Sequence, residues 1–458
     1  MSDAGLEQAR RKMADGDVHP KAIEVFAHYY RELESGATGV IAEDDVEPVR
    51  DLPRLADLDV DAARAAEALA VTAVVKLNGG LGTSMGMDRA KSLLPVRGDR
   101  TFLDVIAQQV LATRQPHGAL LPVIFMNSFR TRDDTLAALK RHPDLPVDGL
   151  PADFLQNREP KLRADDLTPV DWPDDPQLEW CPPGHGDVYT ALDASGLLQL
   201  LLDAGYRYVS VSNADNLGAS PSPTVAGWFA ASGAPYAAEV CRRTPADRKG
   251  GHLVRRRRDD RLVLRETAQT RSADTEQAAD IERHPYFHTN NLWFDLRAVA
   301  RIMAERDGVL DLPLIRNDKT VDPSDPSSPA VVQVESAMGA AVEVFEGARA
   351  IEVDRSRFLP VKTTNDLLLM RSDVYELTDG GLLRQRRDQV PYVDLVKEHY
   401  GLLPRFDSRF AAGAPSLADA TSLRVEGDWT FGADVRVTGD ITLDSAGGTV
   451  PDGEQLTS

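Results

Sequence analysis

The stretch from Val71 to Gly86, Val-Thr-Ala-Val-Val-Lys-Leu-Asn-Gly-Gly-Leu-Gly-Thr-Ser-Met-Gly, constrains the fold more than any other part of the chain. Val71 to Leu77 is short, apolar and β-branched, which suits a strand in the middle of a parallel sheet. It runs straight into a loop with glycines at 79, 80, 82 and 86, where the missing Cβ lets backbone amides approach an anion. Lys91 follows five residues after the last of them, so the simplest reading is a phosphate-cradling loop at the carboxyl end of a strand. Two familiar loops do not fit. A Walker loop needs a lysine directly after a glycine, and none stands there. A dinucleotide fingerprint needs Gly-x-Gly-x-x-Gly, but Met85 takes the third glycine's place and the glycine comes one residue late. A ligand-free β-to-α turn stays open on spacing alone.

Downstream, strand and helix patterns alternate. Leu121–Met126 and Tyr206–Ser212 read as strands, Phe154–Asn157 as a short strand or loop, and Phe102–Ala112, Thr131–Lys140 and Leu197–Ala204 as helices. That alternation is the pattern of a doubly wound α/β sheet, in which ligands sit beyond the carboxyl ends of the strands. Pro235–Arg242 and Gly250–Arg265 read as antiparallel strands of an inserted sheet, with Arg255–Arg258 and Asp259-Asp260 at a solvated hairpin tip. Val331–Val334 reads as a strand and Ala340–Phe345 as a helix. Ahead of the loop, residues 4–36 have helical spacing split by His19-Pro20, and an Ala-rich helix covers Asp61–Leu69. In the tail, Leu423, Trp429, Val435 and Ile441 recur every six residues, as do Val425, Phe431, Val437 and Leu443. A six-residue period of short strands reads as a hexapeptide β-helix, here so short that it must lean on the preceding helices or on another subunit.

Charge narrows the partners. The 458 residues carry a net charge of −20, which argues against non-specific nucleic-acid binding and makes any cluster of cations informative. Cys181 and Cys241 are too few for a disulfide framework, no secretory signal or membrane-length apolar run is evident, and a cytoplasmic location is expected.

Four further clusters carry chemistry. His185 is flanked by glycines in Pro182-Pro-Gly-His-Gly-Asp187, where a loop histidine has little core to pack into. Asp215, in Asn213-Ala-Asp, is a strand-end carboxylate suited to Mg²⁺, although taken alone it reads equally well as a helix cap. The amides of His288-Thr-Asn-Asn-Leu-Trp293 suit sugar hydroxyls, and Lys362 gains weight only from its neighbours. No Ser-His-Asp set, cysteine nucleophile or zinc pattern is present. Glycines, lysines, one metal-competent aspartate and amides suit phosphoryl or nucleotidyl transfer, where positioning and charge neutralisation carry the catalysis.

These motifs resemble, in order, those of the eukaryotic-type UTP–glucose-1-phosphate uridylyltransferases, or UDP-glucose pyrophosphorylases. The matching stretches are Leu77–Gly86, Lys91-Ser92, Phe154–Asn157, Pro182–Asp187, Val211–Gly218, Ala246–Gly251, Thr289–Trp293 and Ser356–Thr364. Asn78 and Leu81 favour this family over the related UDP-N-acetylhexosamine enzymes. The resemblance implies a Rossmann-like, GT-A-like doubly wound core with an N-terminal helical segment and a short C-terminal left-handed β-helix. Its expected divisions are 1–70 (N-terminal helical segment), 71–375 (catalytic), 376–420 (helical linker) and 421–458 (β-helix). It implies that Leu77, Asn78, Gly79 and Gly80 hold the nucleotide and that Lys91 binds UTP phosphates. Gln156 and Gly184 would meet the uracil, and His185 and Asn290 the glucosyl phosphate portion. Asn213 would face the ribose, Asp215 the Mg²⁺, and Lys362 the phosphates during transfer. The implied reaction is in-line attack of glucose 1-phosphate on UTP, giving UDP-glucose and pyrophosphate, with a homo-oligomer left open. Three departures stand out: Ala214 for a bulkier residue, His288 for an asparagine, and a β-helix expected to end after Leu443. A broad-specificity UDP-sugar pyrophosphorylase and a catalytically silent nucleotide-sugar sensor are the alternative readings.

Overall fold

The structure, a computed structural model, describes residues 3–36, 39–248, 250–387 and 389–458, so Lys249 of the Ala246–Gly251 stretch lies outside the described residues. The strand Thr72–Asn78 is buried along its whole length, as its unbroken apolar run requires. It pairs in parallel with Tyr208–Asn213 on one side and Val123–Asn127 on the other, and the latter pairs in parallel with Asp153–Leu155. These strands end on one edge, which presents Asn78, Asn127, Leu155 and Asn213 side by side.

Past Tyr208–Asn213 the sheet turns antiparallel. Tyr286–Asp295 runs against both Tyr208–Asn213 and Tyr236–Arg242, and Tyr236–Arg242 is parallel to Arg349–Glu352. Tyr236–Arg242 therefore belongs to the main ten-stranded sheet and not to a separate inserted one. Its residues from Tyr236 to Cys241 are all buried, a pattern that only a strand covered on both faces can sustain. The hairpin His252–Arg256 and Leu262–Arg265 extends the same sheet, and Val46–Pro48 pairs along the hairpin. The expected helix at Ala340–Phe345 is a 3₁₀ segment, Met338–Glu343.

Two helices, Asp3–Asp15 and Pro20–Glu34, precede the sheet, with His19 capping the second and Pro20 in its first turn. Phe26 and Tyr30 share a core with Tyr189 and Phe294, and the Tyr30 hydroxyl donates to the Leu167 carbonyl at 3.0 Å. On the other side a second core joins Met85, Leu94 and Phe102 to Phe406, Phe410, Leu423 and Phe431, so the tail is packed onto the half of the molecule that carries the glycine loop.

The tail pairs only in parallel: Tyr392–Leu395 with Ser416–Val425, then Arg436–Leu443, then Gln455–Thr457, and separately Trp429–Phe431 with Gly448–Val450. Of the six-residue series, Leu423, Val425, Phe431, Val435, Val437 and Ile441 are buried. The expected end after Leu443 is corrected, because pairing continues to Thr457; polar, Gly-rich 444–454 masks the repeat although Val450 still packs inside. Segment 376–420 is likewise more than a helical linker. It holds the short helices Lys397–Tyr400 and Leu403–Arg409, but also Leu383–Gln385, Tyr392–Leu395 and the start of Ser416–Val425. Phe410 clamps the tail, with ring centroids 4.8 Å from both Phe406 and Phe431. Phe410→Ala should cost roughly 3–5 kcal/mol by chemical denaturation, the range for deleting a buried aromatic ring. An unchanged denaturation midpoint would mean that the tail does not depend on this contact.

Candidate active site

The glycine loop bends back on itself at the sheet edge. Gly82 and Gly86 are left-handed, with φ of 65° and 74°, and the Lys91 N–H donates to the Gly80 carbonyl at 3.1 Å. This fold-back turns Lys91 toward the end of the neighbouring strand, where its Nζ lies 2.7 Å from Asp215 Oδ2. The loop lysine and the strand-end carboxylate, far apart in sequence, thus form one mostly buried ion pair. Asn78 serves differently from a nucleotide-reading side chain. It is 3% exposed, and its Nδ2 donates to Asn127 Oδ1 at 2.8 Å and Thr135 Oγ1 at 2.9 Å, so its side chain builds the scaffold. Leu77 is buried in the core, and its carbonyl accepts the Ala214 N–H at 3.0 Å.

Gln156 lies across Gly79, where a Cβ would stand 2.6 Å from the Gln156 Oε1. Its Nε2 donates to the Gly184 carbonyl at 2.9 Å, so Gly79, Gln156 and Gly184 form one wall. Gly184 has φ 79°, and a Cβ there would meet the Ser336 carbonyl oxygen at 2.5 Å; only glycine fits. His185 is only partly exposed, and its Nδ1 accepts the Met338 N–H at 2.9 Å. That bond leaves the proton on Nε2, and burial pushes the imidazole down to about 4, so it is a neutral donor near pH 7. Asp187 anchors this loop, accepting the Asn157 N–H at 2.7 Å and Asn157 Nδ2 at 2.8 Å.

The strand-end residues Asn213 and Asp215 open a loop that is sutured to the one preceding Lys362. The Asp215 carbonyl accepts the Val361 N–H at 3.2 Å, and Asn216 Oδ1 accepts the Leu359 N–H at 2.8 Å. Gly218 passes so close to Ser356 that a Cβ would sit 2.4 Å from its carbonyl oxygen. Beneath this junction Glu239 accepts Arg357 Nε at 2.6 Å and Nη2 at 2.8 Å, and Trp293 Nε1 at 2.9 Å. Burial works against the Glu239 charge, but Arg357, Trp293 and Asn291 outweigh it and hold the carboxyl below its usual range. Lys76, fully buried in the central strand, donates to Ser212 Oγ at 2.7 Å and the Ala219 carbonyl at 2.8 Å. Burial, reinforced by Arg357, pushes its amine down to about 7. Lys362 itself is exposed, with its backbone N–H on Asp366 Oδ2 at 2.8 Å. Burial raises Glu266, and Lys362 is the cation that opposes the shift.

Asn290 stands out by conformation. The register jumps from Glu239 opposite Asn291 to Val240 opposite His288, so Thr289 and Asn290 bulge from the sheet and Asn290 takes a left-handed φ of 58°. The departure at His288 is absorbed inside the protein: the ring is 3% exposed, packs where Gly339 has no Cβ, and takes the Asn290 N–H on Nδ1 at 3.2 Å. Glu239, Arg357, Lys76, Asn216 and Glu266 were not singled out from sequence. Only Lys76, a lone charge inside an apolar strand, carried a readable signal. The one three-residue grouping of metal-competent side chains among the described residues, His28, Glu32 and Asp311, includes none of the expected site residues.

A family model described as UTP--glucose-1-phosphate uridylyltransferase matches residues 23–438. The chain belongs to that family. It is 38% identical over 407 residues to the UTP--glucose-1-phosphate uridylyltransferase of Hordeum vulgare, covering 87% of this chain and 82% of that protein. The Solanum tuberosum protein of the same name is 38% identical over 408 residues, covering 87% and 83%. Among solved structures, a mutant UDP-glucose pyrophosphorylase from Leishmania major in complex with UDP-glucose superposes with a TM-score of 0.93 at 41% identity, covering 100% of this chain and 99% of that one. A UDP-glucose phosphorylase from Trypanosoma brucei superposes with a TM-score of 0.89 at 40% identity, covering both chains fully. The uridylyltransferase family thus shares the mixed α/β fold and its parallel central strands.

The anchor of the His185 loop gives a pH test. Burial raises the Asp187 carboxyl to about 7, against the pull of its bonds from Asn157. Between about pH 4, where a free aspartate ionises, and about 7, the folded state alone keeps the proton, so this group's stabilisation falls as pH rises. Asp187→Asn cannot ionise. Its stability relative to the unsubstituted chain should rise across that window in urea titrations, and a pH-independent difference would contradict the assignment.

Proposed function

We propose that this chain transfers the uridylyl group of UTP to glucose 1-phosphate, releasing UDP-glucose and pyrophosphate, by direct in-line displacement without a covalent intermediate. The observation that carries this reading is the Lys91–Asp215 ion pair at the glycine loop, with the Lys362 turn sutured to the Asp215 loop. The attacking phosphate oxygen is already anionic at neutral pH, so no general base is needed. The barrier is the repulsion between two anions. Lys91 and Lys362 offset it from two directions, and on a chain of net charge −20 such cations must act locally.

The other residues hold and orient. Gln156 and Gly184 meet the uracil edge, and the Gly79–Gly80 turn lets the nucleotide approach the backbone. Asn213 faces the ribose. His185, as a neutral Nε2–H donor, meets the glucosyl phosphate without adding charge, and Asn290 reaches the sugar from its bulge. Asp215 Oδ2 is held by Lys91, so its other carboxylate oxygen would be the one to meet Mg²⁺, which takes one or two protein carboxylates and completes its shell with substrate phosphates and water. When bound, Mg²⁺ neutralises charge on the phosphate oxygens.

The finer architecture belongs to the same proposal: a doubly wound, GT-A-like core at 71–375 and a left-handed β-helix in the tail, supported by the parallel central strands of the core and the parallel pairing of the tail. The tail leans on Tyr400, Phe406 and Phe410 of its own chain, so a homo-oligomer is not needed to cover it. Cys181 and Cys241 are free and buried, which favours a reducing, cytoplasmic setting. No helix among the described residues is long and apolar enough to cross a membrane.

Pyrophosphate release from UTP plus glucose 1-phosphate tests the reading. Lys91→Ala and Lys362→Ala should each lower kcat by roughly 10²–10³, the cost of removing one preorganised donor from a transition state. Chelation with EDTA should abolish turnover, and Mg²⁺ should restore it. Near-normal turnover in either variant, or turnover that survives chelation, would contradict the assigned roles.

A further inference from the structure

A cavity of about 620 Å³ opens between the catalytic edge and the tail. Ser84 and Met85 of the glycine loop and Lys362 form one wall, and Lys397 and Arg424 of the carboxyl-terminal part form the other. The two walls are held in register on both flanks. Gly86 has no Cβ where Leu402 Cδ2 would lie 3.2 Å away, and Asn365 Oδ1 accepts the Leu395 N–H at 3.1 Å. The tail therefore buttresses the glycine loop and the turn that carries Lys362 together.

The charges around this cavity are unspent. Among the described residues, Lys362, Lys397 and Arg424 make no ion pair, and neither do Asp394 and Glu426, which line the same space. Arg424 is oriented without being neutralised: Nη1 donates to Ser422 Oγ at 3.2 Å, and the guanidinium lies 5.2 Å from the centre of the Tyr392 ring. Three cations against two carboxylates leave this cavity with a small positive balance on a chain of net charge −20, which favours an anion there. A lysine supplies a point charge and an arginine a planar fork, the pairing that suits linked phosphates. Two carboxylates in the same wall suit an anion that carries a divalent cation of its own and must leave again.

We propose that this cavity is the pyrophosphate subsite, in which Lys397 and Arg424 join Lys362 in binding the β- and γ-phosphates of UTP as they depart. The proposal rests on the uridylyl-transfer reading above. An oxygen of glucose 1-phosphate bonds to the α-phosphorus, the bond from that phosphorus to the bridging oxygen breaks, and pyrophosphate leaves with the electron pair into this space. The tail then contributes binding groups to the site.

The reverse reaction of the full chain separates the claims, because it uses pyrophosphate and UDP-glucose as independent substrates. Lys397 and Arg424 are exposed, so substitution should leave folding intact. Lys397→Ala and Arg424→Ala should each raise the KM for pyrophosphate by roughly tenfold, as losing one charge-assisted contact implies, with the KM for UDP-glucose changed less than about twofold. Lys397→Glu should raise it further, and Lys397→Arg should restore most of the affinity. A pyrophosphate KM unchanged in both alanine variants would overturn the subsite. So would equal changes in both KM values, which would signal a structural effect. An unsubstituted chain that does not consume pyrophosphate would instead overturn the uridylyl-transfer reading.

Discussion

The edge of the sheet that gathers Lys91, Asp215 and Lys362 depends on one buried ion pair, Glu239 with Arg357. Glu239 is fully buried, so its charge persists only because the Arg357 fork, Trp293 Nε1 and Asn291 Nδ2 all donate to it. Removing one partner of such a pair costs roughly 3–5 kcal/mol, because the other charge is left without compensation. Arg357 belongs to the segment that ends at Lys362, and its carbonyl accepts from both Asn216 and Asn291. A single charge pair thus holds together the loop of Asp215, the bulge of Asn290 and the approach to Lys362. Lys76 pins the same Asp215 loop to the central strand from below.

That arrangement explains how a chain of net charge −20 can face phosphates. Its site cations are placed individually by backbone geometry: Lys91 by the fold-back of the glycine loop, Lys362 by the suture at Asn216. Their charge is therefore placed locally and is not a property of the whole surface. Neutral His185 fits the same logic, since its Nδ1 is occupied by a backbone amide and its Nε2 is a donor of fixed direction.

Much of this was legible in the sequence because local chemistry marks it. The glycine loop, the Asn213–Asp215 strand end and the His185 loop each show their character within a few residues. The parallel strands at 72–78 and 208–213 follow from apolar runs. What escaped depends on long-range contacts. Tyr236–Arg242 has a strand's pattern, but only pairing with Tyr286–Asp295 reveals which sheet it joins. Asn78 falls in the expected nucleotide-holding stretch, and only folding shows that its side-chain amide is spent on Asn127 and Thr135. Glu239 and Arg357 are ordinary charged residues until folding brings them together across 118 positions. The end of the tail is hidden in the sequence for the opposite reason: a polar stretch at 444–454 interrupts the periodicity that the strands themselves continue.

In the proposed reading, the Gly79–Gln156–Gly184 wall and the Lys91–Asp215 pair form one nucleotide-sugar site. A crystal structure of the chain with UDP-glucose tests it most directly. The uracil edge should lie on Gln156 and Gly184, the diphosphate within reach of Lys91, and the glucose between His185 and Asn290. UDP-glucose bound away from the glycine loop, or with its uracil remote from Gln156, would contradict it.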